Sequence, residues 1–193
     1  MMRVSQAVLI SIRPKWCELI ASGEKTIEVR KTRPKLNTPF KCYIYCTAGM
    51  AEHDALWVLD SPSREKYSIT AVSAYLERAE GASKGNRKVI GEFTCDAITR
   101  VNICGFWDDS GKQLENRLKE TCMTAEEFRN YLDTQVGYGW HISNLCIYDA
   151  PHELSELTGL RTFKGGFELR VLDRPPQSWT YVQEVKNDGT TNL

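Results

Sequence analysis

Residues 7–30 read AVLISIRPKWCELIASGEKTIEVR, and this stretch decides the fold. Ala7 to Ile12 is a short, almost continuous apolar run, the pattern of a buried strand. Pro14 stands where the first helical turn tolerates a residue without an N–H. Trp16, Leu19 and Ile20 then fall at i, i+3, i+4 and predict one apolar helical face over 14–22, with Trp16 read as a core residue. Gly23 suits the position just past a helix end. From Thr26 to Lys31 the period changes to two. Ile27 and Val29 point one way, and Thr26, Glu28 and Arg30 the other. The predicted unit is strand, helix, glycine turn, strand.

Its last strand carries the chemistry. Lys25 sits at the mouth, and Glu28 and Arg30 share a face. A carboxylate beside two cations stays ionised. It orients Arg30, accepts a hydrogen bond from a base amino group, or takes part in proton transfer. Lys25 and Arg30 are suited to phosphate. The same pattern also fits a solvent-facing strand whose Glu–Arg pair is worth under about 1 kcal/mol.

Outward from this unit, Phe40 to Thr47 is a third strand rich in β formers. Lys88 to Val101 holds a fourth and a fifth, 89–95 and 97–101. A helix is expected over Tyr67–Glu80, followed by a loop to Arg87. Thr124 to Leu132 is a helix, with Thr124 as N-cap and Glu127 completing a capping box. A glycine-flanked turn, Gly137 to Ser143, precedes a strand over 145–148. Pro151 to Leu157 is a short helical turn, and a last strand is entered through Arg174-Pro-Pro. Strands outnumber helices without alternating regularly with them. That implies α+β with a curved, partly closed sheet.

At 193 residues the chain fits a single domain, 1–185, with insertions near 50–87 and 105–123 and a flexible tail at 186–193. Composition is that of a globular protein, 41% hydrophobic and 26% charged, which excludes a disordered or collagenous chain. Twenty-five basic and 25 acidic residues cancel, but residues 1–50 carry nine basic side chains against three acidic. A basic N-terminal quarter can present positive surface to an anion. No apolar run is long enough for a membrane helix, and the start is too soon charged for a secretory signal. Seven cysteines without a framework read as small core residues of a reduced, cytoplasmic protein. Cys42 and Cys46 share a strand face but lie roughly 13 Å apart. No Cys-x-x-Cys occurs and the histidines are scattered, so no metal is expected.

The run Ile10 to Trp16, the helix to Ile20 and Gly23-Glu-Lys-Thr-Ile-Glu-Val-Arg30 resemble the ASCH family, named after the activating signal cointegrator homology domain. Gly23, Lys25, Glu28 and Arg30 match all four positions of its Gly-x-Lys-x-x-Glu-x-Arg signature. Tyr43-Ile-Tyr-Cys-Thr47, Gly139-Trp-His-Ile142 and Pro175-Pro-Gln-Ser-Trp179 also look like ASCH proteins of bacterial and phage type. The resemblance implies a PUA-like β pseudo-barrel with flanking helices, here with an inserted helical arm. It implies a cleft lined by the signature that binds RNA or a modified nucleobase. Arg13, Lys15, Lys25, Glu28, Arg30, Tyr45, Thr47, Trp140 and His141 are the candidate binding residues. Trp140 offers a face for stacking, and His141 a donor to phosphate or a base edge; a core Trp and a structural His fit the same residues.

One branch of the family is similar to amidohydrolases that deacetylate N4-acetylcytidine through a Lys, a Thr three residues later and a distant Glu. Lys25 matches the Lys, but Glu28 occupies the Thr position. Glu120 is the candidate for the distant Glu. If the chain is a hydrolase, Lys25 and Glu28 are its catalytic pair. A third reading is a protein-interaction module whose partner surface lies on 50–87. No cofactor is expected under any of the three.

Overall fold

The computed structural model describes residues 4–49, 55–73, 80–108, 110–113, 117–133 and 136–185. The tail expected at 186–193 lies outside them.

The first unit forms as its local pattern dictates. Strand β1 (Gln6–Ile12) is buried at every position after Gln6. It lies between two partners and has a core on each face, so its apolar run is unbroken. Val8, Ile10 and Ile12 enter one cluster, while Ala7 and Leu9 enter a second. Helix α1 (Pro14–Ala21) starts with its proline in the first turn and buries Pro14, Cys17, Ile20 and Ala21. Gly23 takes φ +81°, which turns the chain into β2 (Ile27–Arg30). A side chain at that φ is strained even though space is open around it.

Strand β3 (Phe40–Cys46) runs parallel to β1. The small strands β4 (Leu56–Leu59), β5 (Ala71–Ser73) and β6 (Ala82–Lys84) and helix α2 (Ser61–Tyr67) belong to the first insertion. Two long strands follow, β7 (Val89–Asn102) and β9 (Gly137–His152). Between them come β8 (Gly105–Trp107), a 3-10 turn over Leu118–Thr121 and helix α3 (Ala125–Leu132). A hairpin of β10 (Thr158–Phe163) and β11 (Gly166–Val171), then β12 (Trp179–Gln183), complete the chain.

The main sheet is mixed, with order β11-β10-β12-β1-β3-β7-β9-β2 and β8 beside β7. Register shifts mark bulges along β7 and β9, and bulges bend and twist strands. The bending carries β2 around toward β1, where Arg30 Nη2 donates to the Ser11 carbonyl at 2.7 Å. β1, β3, β7, β9 and β2 therefore make a pseudo-barrel, closed between its first and last strands by a side chain. Val8, Ile10, Cys42, Ile44, Phe93, Ile98 and Trp140 are among the residues of its main core.

Four sequence expectations change. The two strands expected within 88–101 are one, because the break at Asp96–Ala97 is absorbed between Cys95 and Ile98 as a bulge. The glycine-flanked segment 137–143 is strand, not turn. Gly139 is there for close approach: a Cβ would meet Thr99 Oγ1 at 2.9 Å and Ile27 Cγ2 at 3.0 Å. The helix expected over Tyr67–Glu80 does not begin. Ser68 turns left-handed at φ 55° and ends α2, and Ala71–Ser73 pairs with β4; residues 74–79 lie outside the described set. Among its described residues the inserted arm is thus a three-stranded sheet with one short helix. Arg64 of α2 ties it to β9 through the Ile147 and Tyr148 carbonyls at 2.9 and 2.8 Å. Last, the β10–β11 hairpin has no counterpart among the strands expected from sequence.

The capping box of α3 forms as expected, with Thr124 Oγ1 accepting from Glu127 N and Glu127 Oε2 from Thr124 N. No helix among the described residues is long and apolar enough to cross a membrane.

Candidate functional site

β2 pairs antiparallel with β9, setting Ile27 opposite His141, Glu28 opposite Trp140, Val29 opposite Gly139 and Arg30 opposite Tyr138. Ile27 and Val29 pack with Phe106, Phe128 and Leu132 in a third core under α3. Glu28 and Arg30 take the other face, with Lys25 just before them. All three charged residues are buried, at 2% exposure for Lys25, 6% for Glu28 and 9% for Arg30.

They form one connected network. Lys25 Nζ donates to the Ile27 carbonyl at 2.9 Å and the Thr121 carbonyl at 2.6 Å, and lies 3.3 Å from Glu28 Oε2. The other carboxylate oxygen of Glu28 is 3.0 Å from Arg30 Nη2, which also binds the Ser11 carbonyl. The chain of contacts runs from the 3-10 turn through β2 to β1. An ammonium has three protons and no acceptor, and each proton of Lys25 has a partner. These contacts tie the Lys25 ammonium to β2 and to the 3-10 turn. This arrangement is unlike an exposed strand pair. Removing one member of a buried, hydrogen-bonded charge network costs about 3–5 kcal/mol.

A cavity of about 730 Å³ opens above this network. Ser11, Arg13, Lys25, Glu28, Arg30 and Thr47 contribute to its lining. Thr47 is held there by its N–H, which donates to the Ile12 carbonyl at 2.8 Å. Trp16 and Tyr131 add aromatic wall, and Lys31 adds a further cation. Lys25 Nζ lies 4.9 Å from the centre of the Trp16 ring. Burial raises the pKa of the Tyr131 hydroxyl, while Arg30 pulls it the other way. The lining carries four cations, Arg13, Lys25, Arg30 and Lys31, against two carboxylates, Glu28 and Glu127.

Of the residues singled out in the sequence, the fold brings Arg13, Lys25, Glu28, Arg30 and Thr47 to this cavity. Lys15 is not itself in the lining but sits against two residues that are, 4.4 Å from the centre of the Trp16 ring and 2.9 Å from Glu127, a bridge from α1 to α3. Tyr45 faces the second core with Ala7, Leu9 and Val182. Trp140 is fully buried, with ring centres 5.9 Å from Phe40 and 6.0 Å from Trp179, and offers no face to a base. His141 follows it on the strand and so points to the opposite side of the sheet. There it lies 3.3 Å from Thr99 Oγ1 and 3.3 Å from Arg117 Nη1, half-buried. Burial lowers its pKa, and the Arg117 guanidinium lowers it further. Glu120 is held by Arg117 Nε at 2.7 Å and does not line the cavity.

Trp16, read from the sequence as a core residue, does both: half-buried, it packs against the main core and also lines the cavity. Tyr131, Asn130 and Gln177 also line the cavity without having been singled out. Gln177 had a signal, since it lies in the Pro175–Trp179 segment that resembles ASCH proteins. That segment closes over β1: Ser11 Oγ donates to the Pro176 carbonyl at 2.7 Å, and Ser11 N to the Ser178 carbonyl at 2.9 Å. Tyr131 and Asn130 are ordinary helix residues and carried no such mark.

Among solved structures, the chain is similar to ASCH from Zymomonas mobilis, with 18% identity, a TM-score of 0.48, and coverage of 92% of this chain and 88% of that one. It is similar also to two mutant forms of the same Zymomonas mobilis protein, each at 16% identity and a TM-score of 0.49. These cover 92% and 95% of this chain and 91% and 92% of theirs. No family model matches the chain, and no curated protein does.

Proposed function

We propose that this chain binds nucleic acid, and that its cleft takes one unpaired or modified base of an RNA. The observation that carries this reading is the cavity itself. Its volume of about 730 Å³ falls within the range of roughly 300–1,000 Å³ usual for ligand sites. It joins aromatic walls to an excess of cations, the combination that suits a stacked base with its phosphate. Arg13 and Lys31 are exposed at the cavity and are the phosphate contacts. Trp16 is the stacking platform. Arg30 itself lines the cavity and brings its charge to it. Lys25 and Glu28 hold Arg30 and the wall in place.

The hydrolase reading ranks second. It needs Lys25 as a base or activator, and the ammonium is already engaged by three acceptors.

The test is binding of short single-stranded RNA across a salt series. Arg13→Ala with Lys31→Ala is expected to weaken binding and to lower the salt slope by roughly 1.4, about 0.7 for each single-strand phosphate that is no longer neutralised. Binding curves that match the unaltered protein at every salt concentration would sink the reading.

A further inference from the structure

The β10–β11 hairpin stands away from the cleft and from most of the sheet. Its register with β12 consists of one pair, Gly159 with Val182. β11 is the outermost strand of the main sheet, and all six of its residues are exposed. Nine large apolar side chains are exposed among the described residues, and four of them, Phe163, Phe167, Leu169 and Val171, are in this hairpin. The hairpin register puts Phe167, Leu169 and Val171 on one face, opposite Thr162, Leu160 and Thr158. Glu168 and Arg170 take the other face, opposite Arg161 and Gly159. A projecting two-stranded ribbon is marginal alone in water, and an apolar edge strand is a template for another strand.

The order of residues along β11 indicates which strand. In an antiparallel pair of β11 with a copy of itself, centred on Leu169, Leu169 faces Leu169 of the partner subunit. Phe167 then faces Val171 of the partner subunit, and Glu168 faces Arg170 of the partner subunit. The apolar faces join on one side and opposite charges pair on the other. Within its own hairpin Arg170 has only a glycine directly across from it, and the copy sets a carboxylate at that cross-strand position on the open edge. The strand is complementary to itself in both respects, as a two-fold contact requires.

We propose that two copies of this chain associate through their β11 edges, as an antiparallel pair centred on Leu169, to form one continuous sheet. A pairing of six-residue strands is small for a protein interface, so the dimer forms reversibly and with rising concentration. This surface lies apart from the cleft, and the proposal does not depend on what the cleft binds.

Sedimentation equilibrium of the full chain over a concentration series tests it. The expected result is a rise toward twice the chain mass. Glu168→Arg places two arginines opposite each other twice per dimer, and Arg170→Glu does the same with glutamates. Each is expected to raise the dissociation constant on the order of tenfold or more. Glu168→Arg also sets an arginine against Arg161 inside the hairpin, so the compensating variant carries a third change: Glu168→Arg with Arg170→Glu and Arg161→Glu restores both pairings and with them the dimer. That rescue separates loss of the interface from loss of the fold. A chain that stays monomeric at the highest concentration overturns the proposal. So does a dimer that ignores both single swaps, which places its contact elsewhere. A monomer whose affinity for single-stranded RNA falls on either swap also overturns it, and assigns the hairpin to nucleic acid instead.

Discussion

Lys25 Nζ donates to the Thr121 carbonyl at 2.6 Å across 96 residues of sequence. This contact binds the mouth of β2 to the 3-10 turn that precedes α3. The contact commits the ammonium to backbone at a wall of the cleft.

Lys25→Met tests that commitment. It keeps an unbranched stem but leaves Glu28 with one cation and the Thr121 carbonyl without a donor. The expected loss of stability is about 3–5 kcal/mol, read by urea unfolding. A loss below about 1 kcal/mol, the worth of an exposed pair, would show that the network is not holding the fold.

Trp16 serves the cavity wall and the edge of the core together. It is half-buried at the cavity wall, while Trp140 is wholly buried. Trp16→Ala is expected to cost about 1–3 kcal/mol of affinity for single-stranded RNA and some thermal stability, because the ring also packs against the main core, with Trp16→Phe keeping most of both. Calorimetry of both variants gives the answer. Equal affinity across all three proteins would remove Trp16 from the site.

His141 sets a pH dependence whose sign follows from its surroundings. Its folded pKa lies below the ordinary 6.5, from burial first and Arg117 second. Between the folded and unfolded values the unfolded chain binds more protons, so stability falls as pH drops below about 6.5. The stability is fully present above that pH and is lost on passing down through the folded value. Asp96 and Glu120 act in the opposite sense and moderate the drop. Denaturant titrations of the native chain and His141→Gln at about pH 7 and about pH 5.5, both above the ordinary carboxylate range, should differ in slope against pH. Identical slopes would place the titration elsewhere.

Gly139→Ala tests why the segment 137–143 is a strand. The added methyl would press on Thr99 Oγ1 and Ile27 Cγ2 from opposite neighbouring strands. The expected cost is about 1–3 kcal/mol, seen as a lower melting temperature. An unchanged melting temperature would mean that the sheet relaxes freely at this point.

Much of the local structure was legible. The apolar run of β1, the proline-started α1, the turn at Gly23 and the alternation of β2 each follow from residues within a few positions of one another. So does the capping box at Thr124 and Glu127. Strand ends were less legible, because a bulge and a chain break look alike in sequence; β7 passes through Asp96–Ala97 where alternation lapses. The exposed strand β11 left no core-facing pattern to read, since its apolar residues face outward, and β10 buries only Gly159 and Leu160.

The candidate site divides in the same way. Lys25, Glu28 and Arg30 stood out because three charges in six residues on one strand unit are visible without a fold. Trp140 and His141 stood out for the same reason, as neighbours after a glycine, yet a strand sends neighbours to opposite faces and neither reaches the cavity. By itself the sequence determined the strand–helix–strand unit and the residues that carry charge within it, because those depend on short-range sterics and periodicity. Only the tertiary structure decided what that charge means. It brought the Ser11 and Thr121 carbonyls to Arg30 and Lys25 and closed protein over them. In that low-polarity setting a pair that is nearly neutral in water becomes a network the fold depends on.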